Sequence, residues 1–266
     1  MTDGVVYLFT GPRFAERMIV AQYSLRKHWD GPVTVFCTED DSEQIMRGAA
    51  ETLRLDVQRK EPFKIHRHSS YITKTLIPTW TPYDRTLFLD GDTTVHGDFQ
   101  PLFEPPLAIT QFCDWQSQGR KISGRINRWK GITPALTTMV DEQLSKSYPA
   151  INTGVFAWHH GYEMLATWHA MTVAGAANTM TDELAMQLLF LSCPGHKVFS
   201  DTYNWSPIYS TSKAPPVIVH YHGDKHVRKE KGKAIWWPIF EECREQNIGG
   251  IAEWAGKWDK YVRRVL

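Results

Sequence analysis

The segment Leu87–Val95 reads Leu-Phe-Leu-Asp-Gly-Asp-Thr-Thr-Val, a hydrophobic run that stops abruptly in two carboxylates separated by one glycine. A run of this kind fits a strand covered on both faces, which brings Asp90 and Asp92 to the carboxyl edge of a sheet. Open α/β sheets bind their ligands at that edge. Two carboxylates flanking Gly91 can face one hard cation, and oxygen donors of this kind suit Mg²⁺ or Mn²⁺ bridging to phosphate oxygens. The motif therefore points to a diphosphate.

The sequence before it alternates strands and helices. Val5 to Thr10 reads as a buried strand ended by Gly11-Pro12. Ala15 to His28 carries apolar residues at helical spacing, Val33 to Cys37 is a second strand, and Ser42 to Leu53 a second helix. Strand, helix, strand, helix is the pattern of a parallel sheet. Tyr71 to Trp80 is expected to be helical up to Pro82. Leu107 to Phe112, Ile151 to Trp158 and Val217 to Tyr221 read as further strands. Thr181 to Leu191 reads as a helix, with Thr181 as N-cap and Asp182 and Glu183 in its first turn. Capping and the helix dipole alone would account for both acids.

Bulk properties narrow the function classes. Thirty basic and twenty-nine acidic side chains leave a formal charge of +1, so no global field advertises nucleic acid or an anionic membrane. Cys37, Cys113, Cys193 and Cys243 lack Cys-x-x-Cys spacing, which argues against a zinc site or disulfide framework and for a reducing compartment. No stretch approaches the ~18 apolar residues of a membrane span, and the N-terminus lacks signal-peptide character. A soluble, cytoplasmic protein is expected. One elaborated α/β domain is expected over residues 1–225, with a basic, Trp-rich extension, 226–266, packed on it. The eleven tryptophans must fill the core or stack on sugar rings or bases.

Two families share the Asp-x-Asp strand. Asp90, Asp92 and Thr94 fit the opening motif of haloacid-dehalogenase-like phosphatases, in which the first Asp is a nucleophile. That motif normally opens its domain, whereas a substantial α/β segment precedes it here. A second resemblance covers most of the chain. Ser24-Leu25-Arg26 on the first helix, Tyr83-Asp84-Arg85 leading to Asp90-Gly91-Asp92, Ala150-Ile151-Asn152-Thr153-Gly154-Val155, Thr181-Asp182-Glu183 and His220-x-x-Gly223 occur in the order seen in glycosyltransferase family 8 and related GT-A enzymes.

That resemblance implies a GT-A, Rossmann-like fold: a mixed, mostly parallel sheet flanked by helices. It also implies transfer of a hexose or pentose from a nucleotide-diphospho-sugar, a UDP-sugar above others, with retention of anomeric configuration. Mn²⁺ or Mg²⁺ would be held by Asp90, Asp92 and His220. Such a reaction leaves a diphosphate whose charge rises as the glycosidic bond breaks, and a divalent metal with Lys74 or Lys225 would neutralise it. Tyr7 and Thr10 stand where the family meets nucleobase and ribose, Gly223 and Lys225 where it grips the diphosphate, and Asn152 and Asp182 where it binds sugar hydroxyls. The family commonly has Gln where this chain has Glu183, a carboxylate suited to stabilise or attack an anomeric centre. Lys225 also follows Gly223 more closely than the family's lysine does.

The acceptor is expected to be a saccharide. The polar segment 114–131 carries Arg120, Lys121, Arg125, Arg128 and Lys130, which keeps open a virus-type DNA glycosyltransferase reading in which these residues contact phosphates. The basic, Trp-rich tail, with Trp254, Trp258, Tyr261 and Val262 roughly on one helical face, suits an interfacial helix on a lipid-linked acceptor.

Overall fold

The structure, a computed structural model, describes residues 1–64, 69–113, 123–124, 126–146, 148–176, 181–210, 212–222 and 230–251. Its centre is a seven-stranded sheet built from β1 (Asp3–Phe9), β2 (Val33–Cys37), β3 (Asp56–Arg59), β4 (Arg85–Leu89), β6 (Leu107–Cys113), β7 (Ala150–His159) and β8 (His196–Phe199), in the order β3-β2-β1-β4-β7-β6-β8. Pairing is parallel except that β7 runs antiparallel to both β4 and β6. A small second sheet pairs β5 (Thr93–Val95) with β9 (Ile218–His220).

The strands sort their side chains by alternation. β1 sends Val5, Tyr7 and Phe9 into one apolar cluster and Val6 into another. The first cluster is closed by α1 (Ala15–Arg26), α2 (Asp40–Leu53) and α8 (Glu230–Glu245), the last contributing Trp236, Phe240 and Cys243. The second is closed by α6 (Met164–Gly175) and α7 (Asp182–Leu189), with Trp158 and Trp168 fully enclosed. Thus the described part of the C-terminal extension, 230–251, shares the core of the first strand. Its aromatic segment beyond Ile251 lies outside the described residues. Cys37, Cys193 and Cys243 are buried free thiols.

Several expectations shift. Tyr71 to Trp80 is two short helices, α3 (Ser69–Lys74) and α4 (Ile77–Trp80), because Pro78 has no N–H to continue the first and instead seeds the second. The edge strands β3 and β8 escape the pattern because His196-Lys197-Val198-Phe199 and Asp56-Val57-Gln58-Arg59 each carry little apolar alternation. Helix α5 (Pro134–Ser145), capped by Thr133, also goes unread. Within the segment taken as a polar loop, Ile126 and Trp129 are core residues.

Ser24-Leu25-Arg26 proves architectural. Ser24 Oγ accepts the Val95 N–H and so ties α1 to β5, Leu25 is buried, and the Arg26 guanidinium donates to the carbonyls of Trp29, Gly31, Leu53 and Arg54.

Candidate metal and donor site

The Asp90 N–H donates to the Gly154 carbonyl at 2.8 Å, so the end of β4 meets the middle of the reversed strand β7. Asp92 follows in the turn into β5, and its carbonyl accepts the Tyr221 N–H at 2.9 Å. Because Thr93 pairs with His220, this small sheet carries the histidine back to the two acids. His220 Nε2 lies 3.1 Å from Asp92 Oδ1 and 3.7 Å from Asp90 Oδ2. One ligand atom from each of the three lies within 4.8 Å of the others. Two carboxylate oxygens and one imidazole nitrogen form a donor set that suits a divalent cation such as Mn²⁺.

Gly154 makes this approach possible. A Cβ at that position would collide with His220 Cε1 and stand 2.7 Å from both Asn152 Oδ1 and Asp90 Oδ2. The glycine of the Asn152-Thr153-Gly154 motif is thus demanded by crowding, not by backbone conformation. The carboxylates feel opposite influences. Burial pushes the Asp90 carboxyl up, against the pull of Lys74 and His220. Burial acts on Asp92 in the same sense, but the adjoining His220 ring overcomes it and holds the carboxyl below its ordinary range. Such divergence is common where acids share one cation site.

Lys74, on α3, is buried and central. Its Nζ lies 3.1 Å from Asp90 Oδ1 and 3.2 Å from Asp182 Oδ2. Burial disfavours the ammonium, yet the Asp182 and Asp90 carboxylates outweigh that cost and hold its pKa above the usual lysine value. Asp182 also accepts from Thr153 Oγ1 at 2.5 Å, and the Thr181 hydroxyl accepts the Leu184 N–H as an N-cap. Asp182 is therefore an internal partner of Lys74. Glu183, one residue on and half-buried, accepts from Asn152 Nδ2 at 2.6 Å.

A cleft of about 310 Å³ opens beside these groups, lined by Leu8, Phe9, Thr10, Phe14, Arg17, Met18, Ser70, Tyr71, Lys74, Asp90, Gly91 and Asp92. Thr10 lines it. Tyr7 does not: it is fully buried in the core, and burial pushes its hydroxyl far above the ordinary phenol range. The aromatic groups lining the cleft are Phe9, Phe14 and Tyr71. Arg17, one turn along α1, was also not singled out from sequence. Gly223 and Lys225 lie outside the described residues, as do Arg120, Lys121 and Arg125. Of the remaining basic positions in that segment, Lys130 is engaged with Asp141 at 2.6 Å.

No protein-family model matches the sequence, and no curated protein matches it either. Solved structures do. The galactosyltransferase LgtC, in complex with donor and acceptor sugar analogues, superposes with a TM-score of 0.63 at 15% identity, covering 96% of this chain and 99% of that one. WbbM, a bifunctional glycosyltransferase, gives 0.63 at 13% identity over 90% of this chain and 49% of its own. GlyE of Streptococcus pneumoniae TIGR4 gives 0.58 at 16% identity over 93% and 64%. The fold is therefore the GT-A fold of glycosyltransferases: a mixed, mostly parallel sheet flanked by helices.

Proposed function

We propose that this chain is a metal-dependent glycosyltransferase that moves a hexose or pentose from a nucleotide-diphospho-sugar to an acceptor hydroxyl. The observation that carries this reading is the Asp90–Asp92–His220 cluster, whose two acids line a cleft of about 310 Å³, on the carboxyl edge of a GT-A sheet. A divalent ion bound there, Mn²⁺ or Mg²⁺, would offset the charge that builds on a departing diphosphate. Thr10, Phe14 and Tyr71 line the part of the cleft suited to a nucleoside, and UDP is the favoured donor nucleotide. Arg17 adds positive charge beside the acids.

Lys74 ties Asp90 and Asp182 together through an ion pair to each. Asn152 turns its NH₂ to Glu183, which directs that carboxylate. We assign Glu183 to the anomeric side of the donor, stabilising positive charge there in a reaction that retains configuration. The acceptor we favour is a saccharide: LgtC was solved with a sugar analogue as acceptor. No helix among the described residues is long and apolar enough to cross a membrane.

The test is a panel of nucleotide sugars, each with and without Mn²⁺, read by thermal shift and by mass spectrometry of slow donor hydrolysis. A ligand of the folded state raises its melting temperature by mass action. Metal-dependent stabilisation by one donor, with Glu183→Gln retaining that shift but losing turnover, is the expected result. Hydrolysis of simple phosphate esters with no response to any nucleotide sugar would make Asp90 a phosphatase nucleophile instead.

A further inference from the structure

Asn204 belongs to none of the sequence motifs that mark the site, yet it is fully buried and each polar atom of its amide is engaged. The polarity of those contacts is set from the main chain of β7. The Gly154 N–H can only donate, and it meets Asn152 Oδ1 at 2.7 Å, so that atom is the carbonyl oxygen. The Asn204 group that meets the same oxygen at 3.2 Å must then be its NH₂. The other hydrogen of that NH₂ goes to Thr110 Oγ1 at 2.9 Å, and Thr110 commits its own hydroxyl hydrogen to the Val155 carbonyl at 2.7 Å.

What remains of Asn204 is its amide oxygen, 2.9 Å from His220 Nδ1. An amide oxygen only accepts, so Nδ1 carries the proton and Nε2 is the nitrogen turned toward Asp90 and Asp92. A carboxylate at position 204 could accept from Nδ1 too. It would, however, face the Asn152 oxygen without a hydrogen to offer and add a third negative charge to a cluster that already holds two acids.

We propose that Asn204 is a positioning residue for metal binding: it fixes the His220 ring and its Nδ1–H form, so that Nε2 is presented with Asp90 and Asp92 to one divalent cation. The inference rests on the metal-dependent reading above and extends it to a residue that touches neither metal nor donor. Outer partners of this sort orient metal-binding imidazoles, and their loss typically weakens metal affinity by about 10- to 100-fold.

The experiment is a Mn²⁺ titration of the full chain without donor, following the electron paramagnetic resonance signal of free Mn²⁺, for the wild type, Asn204→Leu, Asn204→Asp and His220→Ala. Circular dichroism and melting temperature report whether each variant folds. Folded Asn204→Leu is expected to bind Mn²⁺ about 10- to 100-fold more weakly, approaching His220→Ala, while folded Asn204→Asp, which keeps an acceptor for Nδ1, is expected to bind more tightly than Asn204→Leu. Folded Asn204→Leu that binds within about twofold of wild type, while His220→Ala is impaired, would overturn the inference and leave the metal site standing. Unchanged affinity in His220→Ala would sink the metal site and the inference together.

Should the Asn204 variants not fold, the unsubstituted protein decides. Two-bond ¹H–¹⁵N spectra of histidine-labelled, Mg²⁺-loaded chain, with His220 assigned by its absence in His220→Ala, are expected to show a proton on Nδ1. A bare Nδ1 with the proton on Nε2 overturns the assignment. Neither readout depends on sugar transfer, which the nucleotide-sugar panel tests by itself.

Discussion

The two sides of the Asp90–Asp92–His220 cluster are built differently. Asp90 and Asp92 come from one turn, stand two residues apart in sequence and remain partly open, their side chains 31% and 20% exposed. His220, Asn204 and Asn152 come from distant segments, are buried, and hold one another through a chain of hydrogen bonds in which each amide has a defined direction. The open side supplies charge, and its geometry is set locally. The closed side supplies orientation, and its geometry depends on the packing of β7 against its neighbours. Substitutions on the first should therefore cost function before stability, and on the second both together.

Lys74, which belongs to the buried side but serves the acids, gives the largest contrast. Lys74→Met would leave Asp182 and Asp90 without their cation, and breaking a buried pair costs about 3–5 kcal/mol. Urea unfolding of the metal-free protein measures it; a loss below about 1 kcal/mol would show that the carboxylates find water instead. Asp92→Ala comes next. It should abolish Mn²⁺-dependent donor stabilisation and slow donor hydrolysis by about 10²–10³-fold, the scale of losing one electrostatic element of a site. The metal-free melting curve should fall less than for Lys74→Met, and a larger drop would contradict the division drawn here.

Gly154→Ala tests the closed side by crowding. Its methyl group must displace His220 or Asn152, at a cost of about 1–3 kcal/mol for an overpacked site. Mn²⁺ affinity should fall with it, and a variant that loses stability but keeps metal affinity would uncouple the two.

A separate effect lies in pH dependence along α1, beside the open side. Burial pushes Glu16 up to about 7, against the pull of Arg17, so the folded state keeps a proton that the unfolded chain releases above 4.5. Its contribution is full at acid pH and is lost as pH rises through about 7. His96, lowered by burial to about 4, contributes in the opposite sense, and its share is lost as pH falls from 6.5 through about 4. Glu16→Gln should match wild-type stability at pH 4 and exceed it at pH 8. Parallel stability profiles for the two proteins would remove Glu16 from the account.

The open side was the part legible in sequence, for a physical reason. Leu87, Phe88 and Leu89 followed by Asp90-Gly91-Asp92 specify strand, sheet edge and acids within a few residues. His220 was reached only through the family resemblance, since nothing local distinguishes it from any histidine at a strand end. Asn204 was invisible because its partners, Thr110, Asn152 and His220, are contributed by three separate strands. The same limit explains Tyr7. Its ring packs into the core, and the cleft is lined by Leu8, Phe9 and Thr10, which follow it on the chain. The parallel half of the sheet showed itself through strand–helix periodicity, whereas the reversal of β7 is a matter of pairing that no periodicity encodes.

The buried thiols have a use that the site does not. Burial pushes Cys37 and Cys243 up to about 12 and Cys193 up to about 11, so almost no thiolate exists at neutral pH while the chain is closed. Cys37 and Cys243 sit in the apolar cluster of the first strand and Cys193 in the other. Their alkylation rates are therefore clocks on separate layers of one molecule. Equal rates mean that the two layers breathe as a unit, and unequal rates identify the layer that opens first.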